Sequence, residues 1–180
     1  MNFSNNAKKS TQAVARIIET SGGPIDYLRI SKLIYLADKE SIVKRGVPIV
    51  GGSYFSMRKG PVIGEVMDFV QRRNAPEWKE TISPRFGNEV RLQGQPKSDS
   101  LSESELEILD SVVKFHLERT TDELVEWCHK NCPEYEMVQP TRRKPIAVES
   151  ILKGVNKSQK QIQKFVQEAE SLAKLDSMLS

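Results

Sequence analysis

The chain has little of the chemistry that enzymes and metal sites require. Its 180 residues include two cysteines and two histidines, and Cys128 and Cys132 are too close in sequence to join distant parts of a fold. Gly51-Gly52 and Gly60-Pro61 match no phosphate-binding pattern, because the spacing and the following Lys-Ser/Thr are missing. No apolar run approaches the roughly 18 residues that a membrane-spanning helix needs. The sequence therefore favours a protein that binds a partner over one that catalyses a reaction.

Composition and charge indicate an ordinary globular domain with a polarised surface. Apolar residues make up 38% of the chain and charged residues 28%, enough for a real core and a solvated exterior. Residues 1–100 carry +6 (16 basic, 10 acidic), residues 101–136 carry −7 (3 basic, 10 acidic) and residues 137–180 carry +4 (8 basic, 4 acidic). Such an uneven distribution favours selective pairing with a charged partner.

The cellular compartment follows from the N-terminus and from cysteine usage. The opening segment, MNFSNNAKKST, has no apolar stretch ahead of a cleavage site, and so no secretory signal is visible. A chain without such a signal and with two cysteines is typical of a reducing compartment. We therefore expect a cytoplasmic protein with no membrane segment.

The periodicity of the N-terminal half predicts helices around one short strand. Apolar residues at helical spacing predict a helix over Ala7–Thr20 and a central helix over Asp26–Gly46, with Asp26 as its N-cap. Ser53–Met57 has the pattern of a short strand, and Arg58–Pro61 that of a turn. Residues 62–72 then return to helical spacing and predict a further helix.

The C-terminal half shows a hairpin pattern followed by two marked helix starts. Residues 78–93 alternate around a Gly-containing turn, which predicts a β-hairpin. Ser102–Glu105 and Thr120–Glu123 are capping boxes, in which a hydroxyl and a carboxylate three residues apart satisfy the first backbone N–H groups of a helix. Ile146–Leu152 is a short apolar segment.

Taken together, these patterns predict a mainly α-helical fold with a small antiparallel β-sheet or hairpin. We expect a single compact helical domain over residues 1–153 and a C-terminal helical extension over residues 154–180. The apolar residues of the extension fall mostly on one side. Docking of this helix on the domain is favoured over a free arm that binds a partner.

The best candidate for a binding surface is the strand and turn after Gly52. Strand alternation would expose one side of this segment, and an exposed Tyr and Met beside an Arg matches the composition of protein–protein hot spots. The alternative is that these residues fill the core. The predicted partner-binding residues are Tyr54, Met57, Arg58, Lys59 and Pro61.

Histidine and cysteine side chains give weak signals for chemistry. Cys128, His129 and Cys132 suggest a metal site, but zinc needs four ligands and His116 is the one remaining candidate of these types. Neighbouring residues on a helix diverge by about 100°, which keeps Cys128 and His129 from acting as nucleophile and base. We predict no metal ligand, no cofactor and no catalytic residue. An enzyme built on His116 or His129 is the weakest alternative.

Two basic segments leave other partners open. Arg142–Lys144 is either a solvated loop or a contact for an acidic protein or a nucleic-acid backbone. Helices over residues 26–44 and 62–72, with Arg72 and Arg73, would suit a nucleic-acid-binding transcriptional regulator, the main alternative function. Spread-out basic residues and a moderate pI argue against nucleic acid as the partner.

The segment from Lys32 to Val70 resembles the Panacea domain, the SocA-like antitoxin family that is also found in phage-associated proteins. The likeness covers about residues 7–153 and extends more loosely through Glu123–His129 and Ile151–Leu152. The residues that carry it are Lys32-Leu33-Ile34-Tyr35-x-Ala37-Asp38, Gly46-x-Pro48-Ile49, Gly52, Tyr54-Phe55-x-Met57, Gly60-Pro61-Val62 and Glu65-Val66.

The resemblance implies a mainly helical fold with a small antiparallel sheet and an antitoxin role in a bacterial or phage toxin–antitoxin system. Such antitoxins bind a cognate toxin protein directly, and some act like chaperones or as adaptors that deliver the toxin to a cellular protease. The resemblance also makes the segment from Tyr54 to Pro61 the family-typical face, with the C-terminal helix as the second candidate.

Overall fold

Helices make up most of the regular structure, as predicted, and two small antiparallel sheets complete it. A computed structural model describes residues 3–179, apart from the side chains of residues 173, 174, 176, 177 and 179. The helices are α1 (Ala7–Thr20), α2 (Tyr27–Arg45), α3 (Gly64–Arg72), α4 (Pro76–Thr81), α5 (Glu103–Phe115), α6 (Thr121–Asn131), α7 (Val148–Gly154) and α8 (Gln159–Leu179). The strands are β1 (Ile25–Asp26), β2 (Tyr54–Met57), β3 (Gly60–Ile63), β4 (Glu89–Val90) and β5 (Lys144–Pro145).

Helix α2 is the centre of the fold, as its wide apolar face predicts. Asp26 caps its start by accepting from the Leu28 backbone N–H, and Gly46 ends it in the left-handed conformation at φ 83°. Residues 30–38 are all buried, because α1, α5, α6 and strand β3 pack around this helix. A helix buried on every side presents its polar residues to the interior.

The predicted helix starts are confirmed in detail. Helix α1 has the predicted bounds, and Asn6 caps it by accepting from the Lys9 backbone N–H. Both capping boxes form, at Ser102–Glu105 before α5 and at Thr120–Glu123 before α6. The capping boxes are local contacts, which is why the sequence pattern was sufficient to predict them. The Asn6 cap was not predicted.

The predicted helix over residues 62–72 begins two residues later than expected. Gly60–Ile63 form strand β3, which pairs antiparallel with β2 from Tyr54↔Ile63 to Met57↔Gly60. Arg58 and Lys59 are the two turn residues, and Gly60 follows at φ 100°. Val62 lies four residues before Val66 and so fits helical spacing as well, and cross-strand pairing decides between the two structures.

The predicted hairpin over residues 78–93 is correct for its turn and wrong for its first strand. Pro76–Thr81 form helix α4, in which proline occupies the first turn and Trp78 is buried against Phe69, with ring centroids 5.7 Å apart. Further along, Ile82 and Leu92 form an isolated bridge. Strand β4 pairs with β1, and so the hairpin forms a sheet with a distant segment.

Helix α8 docks on the domain through its first half, which is the arrangement that we favoured over a free arm. Ile162 and Ala169 are buried, and Phe165 packs so closely on Gly46 that a Cβ there would lie 3.2 Å from its ring. Leu172 is exposed, and Ala173 and Leu179, which we assigned to the same apolar side, lie outside the described side chains. The boundary at residue 154 stays a prediction. No helix among the described residues is both long and apolar enough to cross a membrane.

Candidate functional site

One row of polar side chains on α2 faces the interior and fastens three separate segments. Lys32, Tyr35, Asp38 and Lys39 follow one another at intervals of three, three and one residues, which places them along one side of the helix. We call these four residues the α2 polar row. Lys32, Tyr35 and Asp38 are fully buried. Each member must therefore find its partner inside the protein.

Asp38 holds the loop after α2 against the helix. Its carboxylate accepts from the backbone N–H groups of Ile49, Val50 and Gly51 at 2.8, 2.9 and 3.0 Å. It also accepts from the Tyr54 hydroxyl at 2.9 Å. Burial raises the pKa of Asp38 to about 6, against these hydrogen bonds, which lower it. The carboxylate thus fixes both the loop and the start of β2.

Tyr35 and Lys39 hold the chain just after α6. The Tyr35 hydroxyl donates to Glu134 Oε1 at 2.6 Å, and Lys39 Nζ donates to both carboxylate oxygens at 2.8 and 2.9 Å. Burial, together with the charge and hydrogen bond of Glu134, raises the pKa of Tyr35 well above its usual range. The Glu134 side chain is itself buried, so this contact joins the end of the α6 region to α2.

Lys32 holds the hairpin of β2 and β3. Its ammonium donates to the Pro61 carbonyl at 3.0 Å, and burial lowers the pKa of Lys32 to about 8. Gly60 leaves room for this side chain, because a Cβ there would lie 3.3 Å from Lys32 Cε. The same Cβ would lie 3.7 Å from Cys128 Cβ. The lysine therefore lies between the hairpin and α6.

The cysteines adjoin this lysine and are buried one helical turn apart. A hydrogen bond with Cys132 lowers the pKa of Cys128, and the charge of Lys32 lowers it further, while burial opposes both. The same Cys128 contact, together with burial, raises the pKa of Cys132. Both thiols are at most 2% exposed, so they form part of the packing between α6 and α2.

The two histidines lie in aromatic surroundings. His129 stacks on Tyr135 with centroids 4.7 Å apart and planes inclined by 3°. His116 meets Trp127 edge-on at 4.5 Å, and burial, with nearby Arg119 and Arg29, lowers the pKa of His116 to about 4. His116 lines an apolar groove of about 400 Å³ between α2, α5 and α6. At neutral pH this imidazole is uncharged.

The structure divides the five predicted partner-binding residues between interior and surface. Tyr54 is 4% exposed and bonded to Asp38, and Pro61 is buried with its carbonyl bonded to Lys32. Met57 is half-buried, and Arg58 and Lys59 are exposed at the turn. Strand alternation explains the division, because Tyr54 and Met57 lie on opposite faces. A binding role for the five stays a prediction.

The second basic segment, residues 142–144, lies near the turn formed by Arg58 and Lys59. The sequence did not predict this proximity. Strand β5 pairs with β2 through Phe55↔Pro145 and Ser56↔Lys144. Arg143 precedes β5, and its guanidinium lies 4.4 Å from the centre of the Phe55 ring. Neither segment contains a signal for this pairing, because β5 has two residues and lies far along the chain.

We call the resulting surface the basic face. Ser56 and Lys144 lie on the other side of the sheet, where Lys144 forms an ion pair with Glu136. Within the described part of the chain, no acidic side chain forms an ion pair with a cation of the basic face. The face consists of Phe55, Met57, Arg58, Lys59 and Arg143.

The helix pair that suggested a nucleic-acid regulator has a different form. Helix α2 is buried along most of its length, so it cannot enter a DNA groove in this conformation. Residues 62 and 63 belong to β3. Arg73 is turned inward and donates to the carbonyls of Lys79 and Ile82, both at 3.0 Å. Helix α3 still carries an exposed Arg72 at its end, and the nucleic-acid alternative stays a prediction.

Comparison with known proteins gives one family. The family model described as antitoxin SocA-like, Panacea domain, matches residues 30–134. No curated protein and no solved structure gives a significant match. The matched region begins within α2 and ends at Glu134, so it contains the whole α2 polar row and its partners.

Proposed function

Because the chain belongs to the SocA-like antitoxin family with a Panacea domain, its general role is that of an antitoxin, and we propose that it neutralises a cognate toxin by direct protein–protein binding. The proposed setting is the cytoplasm of a bacterium, with the toxin encoded by the host or by a phage. The proposed mechanism is stoichiometric contact, either by masking the toxin, by chaperone-like holding, or by delivering it to a cellular protease.

The observation that supports this proposal best is the contrast in how the cations are used. Lys32 and Lys39 in the α2 polar row are occupied by internal partners. Arg58 and Lys59, at the tip of the hairpin, are exposed and have no ion pair within the described residues. An exposed cationic turn on a rigid hairpin is suited to contact a second macromolecule.

The same contacts support a binding role without catalysis. Lys32, Asp38 and Cys128 have the perturbed pKa values that often mark catalytic groups. All three are fully buried, and hydrogen bonds to the hairpin, the 49–51 loop and Cys132 engage them. Burial and internal partners account for these pKa shifts without a substrate.

The experiment uses the product of the gene adjacent to the one encoding this chain. We expect this product to arrest growth when expressed alone, growth to recover when the two are expressed together, and the two proteins to purify in a fixed ratio. Arg58→Glu combined with Lys59→Glu should weaken rescue, because it reverses two charges at the hairpin tip.

Arg72→Glu combined with Lys160→Glu is the matched control, since both side chains are exposed and the change in net charge is the same. Equal rescue by wild type and by the hairpin variant would remove the hairpin from the interface. A neighbouring product that is toxic but never binds this chain would end the proposal itself. Toxin levels followed after synthesis is blocked separate masking from proteolytic delivery.

A further inference from the structure

We propose that the basic face binds an acidic segment of the protein partner through its three cations, which form no ion pair among the described residues, and the apolar side chains between them. This inference rests on the proposed function and specifies the partner's chemistry. The face unites two basic segments more than 80 residues apart in sequence, and the pairing of β2 with β5 brings them together.

Charge is the first argument. Five lysines and arginines elsewhere in the described chain lie beside carboxylates: Lys8 with Asp99, Lys9 with Glu105, Arg16 with Asp110, Lys39 with Glu134 and Lys44 with Glu40. Exposed cations such as Arg72, Lys114 and Lys160 form no ion pair among the described residues, and neither do Arg58, Lys59 and Arg143. The basic face differs from the other unpaired cations because its three cations are clustered around Phe55 and Met57. Their positive potential is therefore available to an acidic ligand, which it would attract and orient.

The position of Arg143 is the second argument. Its guanidinium is held 4.4 Å from the centre of the Phe55 ring, and Phe55 packs against the start of α3, where a Cβ on Gly64 would lie 2.9 Å from the ring. Stacking limits the conformations of a long side chain and lowers the entropy that binding must remove. The arginine is thus prepared for a bidentate contact with a carboxylate.

The edge of the sheet limits how the partner can bind. Strand β5 has two residues, and one of them is Pro145, which has no backbone N–H to donate. Addition of a partner strand along this edge is therefore disfavoured. Recognition through side chains on the basic face remains the available mode.

The apolar side chains favour a protein over a nucleic acid. Met57 and Phe55 are half-buried among the arginines, and Met137, 66% exposed, lies next to Tyr135, whose hydroxyl donates to the Arg58 carbonyl. Arginine, methionine and aromatic residues are the types enriched in protein–protein interfaces. A phosphate backbone has no apolar group of matching kind to cover them.

The test measures binding of the full chain to two labelled polyanions of equal charge, a poly-L-glutamate peptide and a DNA duplex, by fluorescence anisotropy at low and physiological salt. We expect wild type to prefer the peptide. Arg58→Glu combined with Arg143→Glu should weaken peptide binding about tenfold or more. The control pair Arg72→Glu and Lys160→Glu should weaken it less than about threefold.

Equal weakening by the two variants, or no binding of the peptide, would overturn the inference. Tighter binding of the duplex would assign the face to nucleic acid and overturn it as well. Unimpaired neutralisation of the adjacent gene product by the Arg58→Glu, Arg143→Glu variant would refute the face while leaving the proposed function intact. Specific peptide binding without any toxin binding would instead refute the proposed function.

Discussion

The α2 polar row and the basic face use positive charge in opposite ways. In the row, Lys32 and Lys39 are withdrawn from water, and each is bound to a fixed partner inside the protein. On the basic face, Arg58 and Lys59 extend into solvent with no carboxylate partner among the described residues. The first arrangement makes a buried charge tolerable. The second leaves the charge free to attract a ligand.

The comparison indicates what the family likeness consists of in this protein. Lys32, Tyr35 and Asp38, which carry the resemblance on α2, bind the hairpin, the 49–51 loop and Glu134. These three side chains hold the scaffold together. A scaffold held from within allows its exposed residues to differ between members, and so membership identifies the fold and the general role more readily than the partner.

The largest expected effect breaks the row at Asp38. Asp38→Ala leaves three backbone N–H groups and the Tyr54 hydroxyl without their acceptor, and we expect the free energy of unfolding to fall by about 3 kcal/mol or more. Urea denaturation followed by circular dichroism measures the change. Asp122→Ala, at an exposed position in the first turn of α6, should cost no more than about 1 kcal/mol. Similar losses for the two variants would contradict the fastening role of Asp38.

An intermediate effect concerns the pH dependence contributed by Lys32. Burial lowers its pKa from the usual 10.5 to about 8, so between these values the unfolded chain binds more protons than the folded one. The contribution of Lys32 to stability therefore rises with pH across that window and is least favourable below it. Between pH 7 and pH 10, the free energy of unfolding of wild type should rise by on the order of 1–3 kcal/mol relative to that of Lys32→Met.

Cysteines and tyrosines also titrate in this pH window, in wild type and in Lys32→Met alike. Subtracting the free energy of unfolding of Lys32→Met from that of wild type therefore cancels most of their contribution. Lys114→Met is the matched control, because it makes the same chemical change at an exposed position. A constant difference between wild type and Lys32→Met would show that Lys32 keeps its ordinary pKa in the folded protein.

The smallest expected effect on stability is at the basic face. Arg58→Glu combined with Arg143→Glu should change the free energy of unfolding by less than about 1 kcal/mol, chiefly through the lost contact of Arg143 with Phe55. The same urea titration used for Asp38→Ala measures it. A loss as large as that of Asp38→Ala would mean that the face, like the row, belongs to the scaffold.

Much of the fold could be predicted because many of its signals are local. Asp26, Gly46 and the two capping boxes mark helix ends through contacts within a few residues. The errors fall where a distant partner decides. Val62 fits a helix or a strand until β2 pairs with it, and Trp78 belongs to a helix because it packs on Phe69.

The candidate site shows the same limit. The sequence drew attention to Arg58, Lys59 and, separately, to Arg142–Lys144, but nothing in either segment indicates the other. It also grouped Tyr54 with Met57, although strand alternation places them on opposite faces and the first is buried. The sequence shows which side-chain types each segment contains, but not which segments lie close together in space.

The sequence by itself determined most of the helices, the caps of α2, α5 and α6, the family and the residue types available for binding, because each depends on neighbours along the chain. Only the tertiary structure decided which cations are buried and which are free. Pairing of β2 with β5 brings Arg143 to the same surface as Arg58 and Lys59, and packing around α2 encloses Lys32 and Lys39. Both depend on contacts between segments that are remote in sequence, where composition and periodicity contain no information about distance.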